Sequence, residues 1–295
     1  MNSKQKEYIA RATNELTEHH VYHKLALIEK NPANRELLEK LSAQEKEHYE
    51  FWVSLVPDAK IKPRPLALYS TPLMRRLLGV TFTTKFLETH EKSAIATYEA
   101  MLSEMPEAHK ARLKKIIEDE RSHEISLIGE IKEKRIKYIG FIALGLADAI
   151  VEITGVHAGF LGVTGSTLIA GVSGLIVGFA AAISMASAAY IQAKQDTERS
   201  ALVSALVTGI SYLFSVVLLA LPYFLIRTMI TAFLASTSVG LLLLAGFTFY
   251  GAVVYDRVFL REFLEAASLM IGTAIATFFV GDALGKIFNI TTQSF

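Results

Sequence analysis

Two short segments of this chain, EKEH at 45 to 48 and ERSH at 120 to 123, each set a glutamate three residues ahead of a histidine. On a helix, positions i and i+3 project to the same side, so each pair offers a carboxylate and an imidazole to one point. Single glutamates stand at matching distances upstream. Glu15 precedes Glu45 by thirty residues and Glu91 precedes Glu120 by twenty-nine, and each is followed seven residues later by a tyrosine, Tyr22 or Tyr98. The pattern is a duplicated helical hairpin, in which the first helix of each copy gives one glutamate and the second a Glu-x-x-His. Glu15, Glu45, His48, Glu91, Glu120 and His123 together form the ligand set of a carboxylate-bridged di-iron or di-manganese centre in a four-helix bundle. Glu45 and Glu120 would bridge the two ions, His48 and His123 would cap one each, and Glu15 and Glu91 would close the outer sides. Oxygen donors with imidazole suit Fe(II), Fe(III) and Mn(II).

The neighbours of these residues fit inward placement. Leu41, Glu45, His48 and Trp52 share one helical stripe, as do Leu113, Ile116, Glu120, His123 and Leu127. Carboxylates in an apolar stripe are costly unless they are paired. Glu18 and Glu88, each three residues from a ligand glutamate, are candidate extra ligands. Tyr22 and Tyr98 either hydrogen-bond a ligand carboxylate or pack in the core. His19 and His23 read as surface or outer residues. The chain has no cysteine, which excludes disulfides, thiolate metal sites and iron–sulfur clusters. No His-Glu-x-x-His motif supports a catalytic zinc.

Helices must carry these residues. Periodic segments run over roughly 4–30, 32–56, 72–104 and 106–136, divided by Asn31-Pro32, a crossover at 57–72 and Met105-Pro106. No strand pattern competes. The chain opens on polar residues, which argues against a cleaved signal peptide. Basic and acidic residues are nearly balanced before residue 138, so nothing points to nucleic acid.

Beyond Lys137 the character changes. The chain carries 30 Lys and Arg and 29 Asp and Glu, and only 14 of these fall after Lys137. Five apolar stretches follow, near 138–163, 166–191, 200–226, 228–255 and 263–290, each longer than the ~20 residues that span a bilayer. The expected domains are 1–131 and 132–295, giving an all-α chain with a four-helix bundle followed by a five-helix transmembrane domain. Lys132, Lys134, Arg135 and Lys137 lie on the same side as the links holding Lys194, Arg199, Arg257 and Arg261, while the other side has Arg227 and Lys286. The positive-inside rule then puts the N-terminal domain in the cytoplasm and the C-terminus outside. Asp148 and Glu152, one turn apart in the first span, are functional candidates because a charge in hydrocarbon costs about 2.5–3.5 kcal/mol on insertion scales. Asp282 and His157 read more readily as structural. Gly155, Gly159 and the run AGVSG at 170 to 174 would admit a closely packed neighbour, within the chain or from a second copy.

The stretch GLADAIVEITGVHAG at 145 to 159, with AGVSGLIVGFAAAISMASAAYIQAKQD at 170 to 196, resembles the first two membrane helices of the vacuolar iron transporter family. That resemblance implies a homodimeric exporter of ferrous or manganous ion driven by proton exchange, with Asp148 and Met185 on the ion path. Two departures stand out. Ala189 stands where a glutamate is common in that family, a loss for which Glu152 would compensate, and the link QAKQDTER lacks the long metal-binding insert of plant-type members. The polar half resembles the rubrerythrin and ferritin-like family through Glu15, EKEH, Glu91 and ERSH, without its rubredoxin-type iron site. The pairing of the two halves resembles the erythrin-vacuolar iron transport family. It implies a prokaryotic plasma-membrane protein whose cytoplasmic ferritin-like domain holds two Fe or Mn ions and exchanges metal and protons across the lipid bilayer. Competing readings are a membrane-anchored di-iron oxidoreductase, acting as peroxidase or ferroxidase, and an iron sensor without transport.

Overall fold

The computed structural model describes residues 3–88, 91–123, 131, 133, 136–196, 199–288 and 290, with the side chains of all but 88 and 91–93. Among the described residues the fold is all-helical, with no strand. The chain divides into two compact units, Met1–Lys134 and Arg135–Phe295.

In the first unit, α1 (Ser3–Ile28) packs along α2 (Pro32–Ser54). The sharp turn between them follows from its residues. Asn31 caps α2 by accepting from the amides of Ala33 and Asn34 at 3.0 and 3.4 Å, and Pro32 takes the first helical position, where no amide is needed. The buried Glu29 accepts from the amides of Lys30 and Asn31, both at 2.9 Å, and pairs with Arg75 at 2.7 Å.

The third periodic segment differs from the expectation. It begins earlier, as α3 (Pro65–Leu78), breaks at Gly79, and continues as α4 (Val80–Glu88) and α5 (Glu91–Glu104). Pro72 does not start a helix but sits within α3. A proline there leaves the carbonyl four residues back without its helical donor. Lys24 supplies one, its ammonium lying 3.3 Å from the Leu68 carbonyl. The break at Gly79 has a backbone cause, a φ of +96°. The fourth segment appears as α6 (Glu107–Ser122), which packs against α5 and touches α2. The fourth segment does not run unbroken into the first span: residues 124–130 lie outside the described residues, but Ile131 and Glu133 are not helical and Ile136–Tyr138 forms a separate 3-10 turn before α7 begins at Ile139.

Two apolar clusters flank the middle of α1 and α2. One holds Val21, Leu25, Leu38, Leu41 and Val80, and the other Ala12, Phe51, Trp52, Leu113 and Ile116. Glu15, Glu45 and His48 occupy the interval between them.

The second unit consists of α7 (Ile139–Val163), α8 (Thr167–Ala193), α9 (Ala201–Leu225), α10 (Met229–Tyr255) and α11 (Phe259–Ile287). All five are long and apolar enough to cross a membrane. The helix bearing Asp148 and Glu152, α7, packs against each of the other four. It approaches α11 tightly at Gly281, where a Cβ would lie 2.1 Å from the Gly159 carbonyl oxygen. Gly155 likewise faces Thr273, and in α8 Gly171 faces Tyr223 and Gly174 faces His157. The small residues are thus occupied by packing within the chain. They give a dimer no separate support.

Candidate metal centre

Helix α1 brings Glu15, α2 brings Glu45 and His48, and α6 brings Glu120 to one buried point, where one ligand atom from each lies within 4.8 Å of the others. His123, the residue that closes α6, joins them from the far side. Of the six expected ligands, Glu15, Glu45, His48 and Glu120 converge and His123 lies beside Glu45 and Glu120, while the side chains of Glu91 and Glu88 lie outside the described residues. Glu18 is half-buried one turn along α1 and stands outside the converging group.

The two Glu-x-x-His carboxylates divide their oxygens. Nδ1 of His48 lies 3.1 Å from Glu120 Oε1, 3.4 Å from Glu45 Oε2 and 3.8 Å from Glu15 Oε2. Nδ1 of His123 lies 3.4 Å from Glu45 Oε1 and 3.6 Å from Glu120 Oε2. Each carboxylate therefore turns one oxygen to each imidazole. The rings face each other at 6.1 Å.

Chemistry of the donor set supports a cation. Both oxygens of Glu45, Glu120 Oε2, Nδ1 of His48 and both nitrogens of His123 are buried without a hydrogen-bond partner. Native proteins rarely leave such atoms unsatisfied, and each costs about 1–3 kcal/mol. A divalent ion would satisfy carboxylate oxygens and imidazole nitrogens together, so the residues fit a metal.

Charge is crowded within this buried group. Burial, then the nearby charge of Glu120, pushes the Glu45 carboxyl well above the usual range. Burial alone would lower His48, but contacts with Asp119, Glu120, Glu15 and Glu45 outweigh it and raise the imidazole well above 6.5. Burial would likewise raise Glu120, yet His123 and His48 hold it down at about 2.

Two supporting residues surround the ligands. Tyr98 donates to Glu15 Oε1 at 2.7 Å and also packs in the core cluster that holds Phe51 and Trp52, so both of its readings hold. Tyr22 is buried in the α1–α2 core. Asp119 faces the other nitrogen of His48, with Oδ2 3.4 Å from Nε2. Sequence reasoning missed Asp119. It precedes Glu120 and so falls off the ligand stripe, and only the contact between α2 and α6 reveals its partner. A carboxylate behind a ligand histidine fixes its tautomer and orientation. His19 is occupied elsewhere, with Nδ1 2.8 Å from the Ser42 carbonyl oxygen, and His23 is exposed.

In the membrane unit, Asp148 and Glu152 are half-buried on α7. Tyr212 of α9, also missed, donates to Glu152 Oε2 at 2.5 Å. A crevice of about 460 Å³ opens beside Glu152, lined also by Gly159, Val177 and Thr277. Met185 packs against the cluster that contains Ala149, Ile153 and Tyr212. Asp282 pairs with Lys286 at 2.6 Å near the exposed end of α11. His157 is buried against the Tyr223 ring, centroids 4.1 Å apart, with neither nitrogen hydrogen-bonded.

Comparison with protein-family models, with curated proteins and with solved structures finds no match for this chain.

Proposed function

We propose that this protein exports a divalent transition metal, Fe(II) or Mn(II), across a prokaryotic plasma membrane, with a ferritin-like cytoplasmic unit that binds two such ions and supplies the path outward. The observation that carries the reading is the division of Glu45 and Glu120 oxygens between His48 and His123, with so many of these buried atoms lacking a partner. Glu15, Glu45, His48, Glu120 and His123 would hold the pair, with Glu91 completing the set expected from the repeat. Bound iron or manganese supplies one-electron redox capacity. Tyr98 and Asp119 hold Glu15 and His48 in place and cost little reorganisation when an ion arrives.

In the membrane unit the cargo ion would pass Asp148, Glu152 and Met185. Two acids on the helix packed against all four others weigh against a mere anchor, which needs no carboxylates. Proton exchange follows if these acids reprotonate as the metal leaves. A homodimer belongs to this proposal on the family resemblance alone.

The test uses the full chain. In detergent it should bind about two Fe(II) or Mn(II) per chain, and the His48→Ala, His123→Ala double variant should lose most of that binding. Reconstituted in vesicles, the parent chain should move Fe(II) or Mn(II) under an imposed pH gradient. Normal binding with no transport would leave the sensor or oxidoreductase in its place.

A further inference from the structure

Helix α3 has an apolar face turned outward. Leu66, Tyr69, Leu73 and Leu77 follow a helical spacing of three or four residues and are 79, 78, 57 and 66% exposed. A stripe of this size on a water-soluble surface is unusual and marks a contact. The charges carried by the segment itself have one sign. Between Ala59 and Leu87 there are six Lys and Arg and no Asp or Glu. Four of them, Lys60, Lys62, Arg64 and Arg76, are exposed, whereas Arg75 is taken by Glu29. A helix with leucines and a tyrosine on one face and basic residues at its edges has the composition of an interfacial helix, which buries its apolar face at the headgroup boundary and sets its cations among anionic lipid.

The covalent chain brings a bilayer within reach. Glu133 accepts from the Thr81 amide at 3.0 Å at the α3–α4 corner, and Ile131 is buried in the cluster that contains Val80. Gly79 permits this seat, because a Cβ there would lie 2.3 Å from Glu133 Oε1. Six residues beyond Glu133, α7 begins at Ile139. That length of chain reaches at most ~20 Å.

We infer that α3 lies on the anionic surface of the bilayer that the second unit spans, with Leu66, Leu73 and Leu77 in the acyl boundary. The absence of cysteine allows single spin labels in the full chain. Leu73→Cys and Leu77→Cys, labelled and reconstituted in vesicles of phosphatidylcholine with phosphatidylglycerol, should show oxygen-to-nickel-chelate accessibility roughly threefold or more above a label at Lys114→Cys, an exposed site on α6. The ratio should fall towards the control in pure phosphatidylcholine and when Lys62, Arg64 and Arg76 are changed to glutamate. Fluorescence of the single tryptophan, Trp52, reports whether each variant keeps its folded first unit. Water-like accessibility at Leu73 in anionic vesicles, with Trp52 native-like, would overturn the inference. So would dipolar broadening relieved by dilution with unlabelled chain, which would assign the face to a second copy.

Discussion

At the scale of single residues, the candidate metal centre is a problem of where protons reside. His48 keeps a proton more tightly in the folded state than its ordinary 6.5, so the stability it contributes is complete below 6.5 and lost as pH rises through the folded value. Glu45, also raised, acts in the same direction from 4.5 upward. Glu120 has the opposite sign, and its contribution, present above 4.5, is lost as pH falls towards about 2. The metal-free protein should therefore unfold at a lower temperature near pH 8 than near pH 6, read by Trp52 fluorescence in a chelator. Mn(II) should reduce or reverse that decline, because the ion takes over the protons' role and binds more tightly as they leave. A midpoint that rises from pH 6 to pH 8 in chelator would show that other groups dominate. The spacing of Glu45 with His48 and of Glu120 with His123 was legible in the sequence because i and i+3 define one side of a helix. The Asp119 contact was not, since it joins residues 71 positions apart on different helices and leaves no period behind.

At the scale of elements, proline and glycine carried the local signals with unequal force. Asn31-Pro32 and Met105-Pro106 were readable as boundaries because they obey rules of adjacent residues alone. Pro72 misled. Its cost to α3 is offset by a lysine forty-four positions away from Leu68, a compensation that only tertiary structure discloses. Gly79 is ambiguous as a sequence position, although the left-handed backbone and the seat of the Glu133 carboxylate both depend on it. Gly79→Ala adds a methyl group against that carboxylate and a φ that non-glycine residues adopt at a cost of about 1–3 kcal/mol. It should lower the thermal midpoint of Trp52 fluorescence by several degrees and increase proteolysis between α3 and α4. A variant as stable as the parent would show that Glu133 yields freely and the corner is not a fixed joint.

At the scale of the whole molecule, the chain joins a unit with buried carboxylates and imidazoles to one with five apolar helices, and the proposed export requires that the two act on the same ion. The division into polar and apolar halves was plain from charge density alone, whereas the packing of α7 against every other span depends on contacts such as Gly159 with Gly281 that no periodicity announces. On the proposed path, Asp148 and Glu152 supply negative charge where a divalent ion would otherwise lose its hydration in a low-dielectric medium. Tyr212 holds Glu152 by one oxygen and leaves the other for an ion or proton. Met185 adds a polarisable sulfur, which favours transition metals over Mg(II), an ion that keeps its water and prefers oxygen. Asp148→Asn and Glu152→Gln should each reduce Fe(II) or Mn(II) transport in vesicles by about tenfold or more, consistent with loss of roughly 1.4 kcal/mol or more of ion stabilisation. Metal binding by the first unit should be unchanged in both. Tyr212→Phe should lower transport less, and Met185→Leu should chiefly shift the ratio of Fe(II) or Mn(II) to Mg(II). Transport at the parent rate by Glu152→Gln would make its bond to Tyr212 a structural tie between α7 and α9, and the path would then have to rest on Asp148 without a second acid to replace the one absent at Ala189.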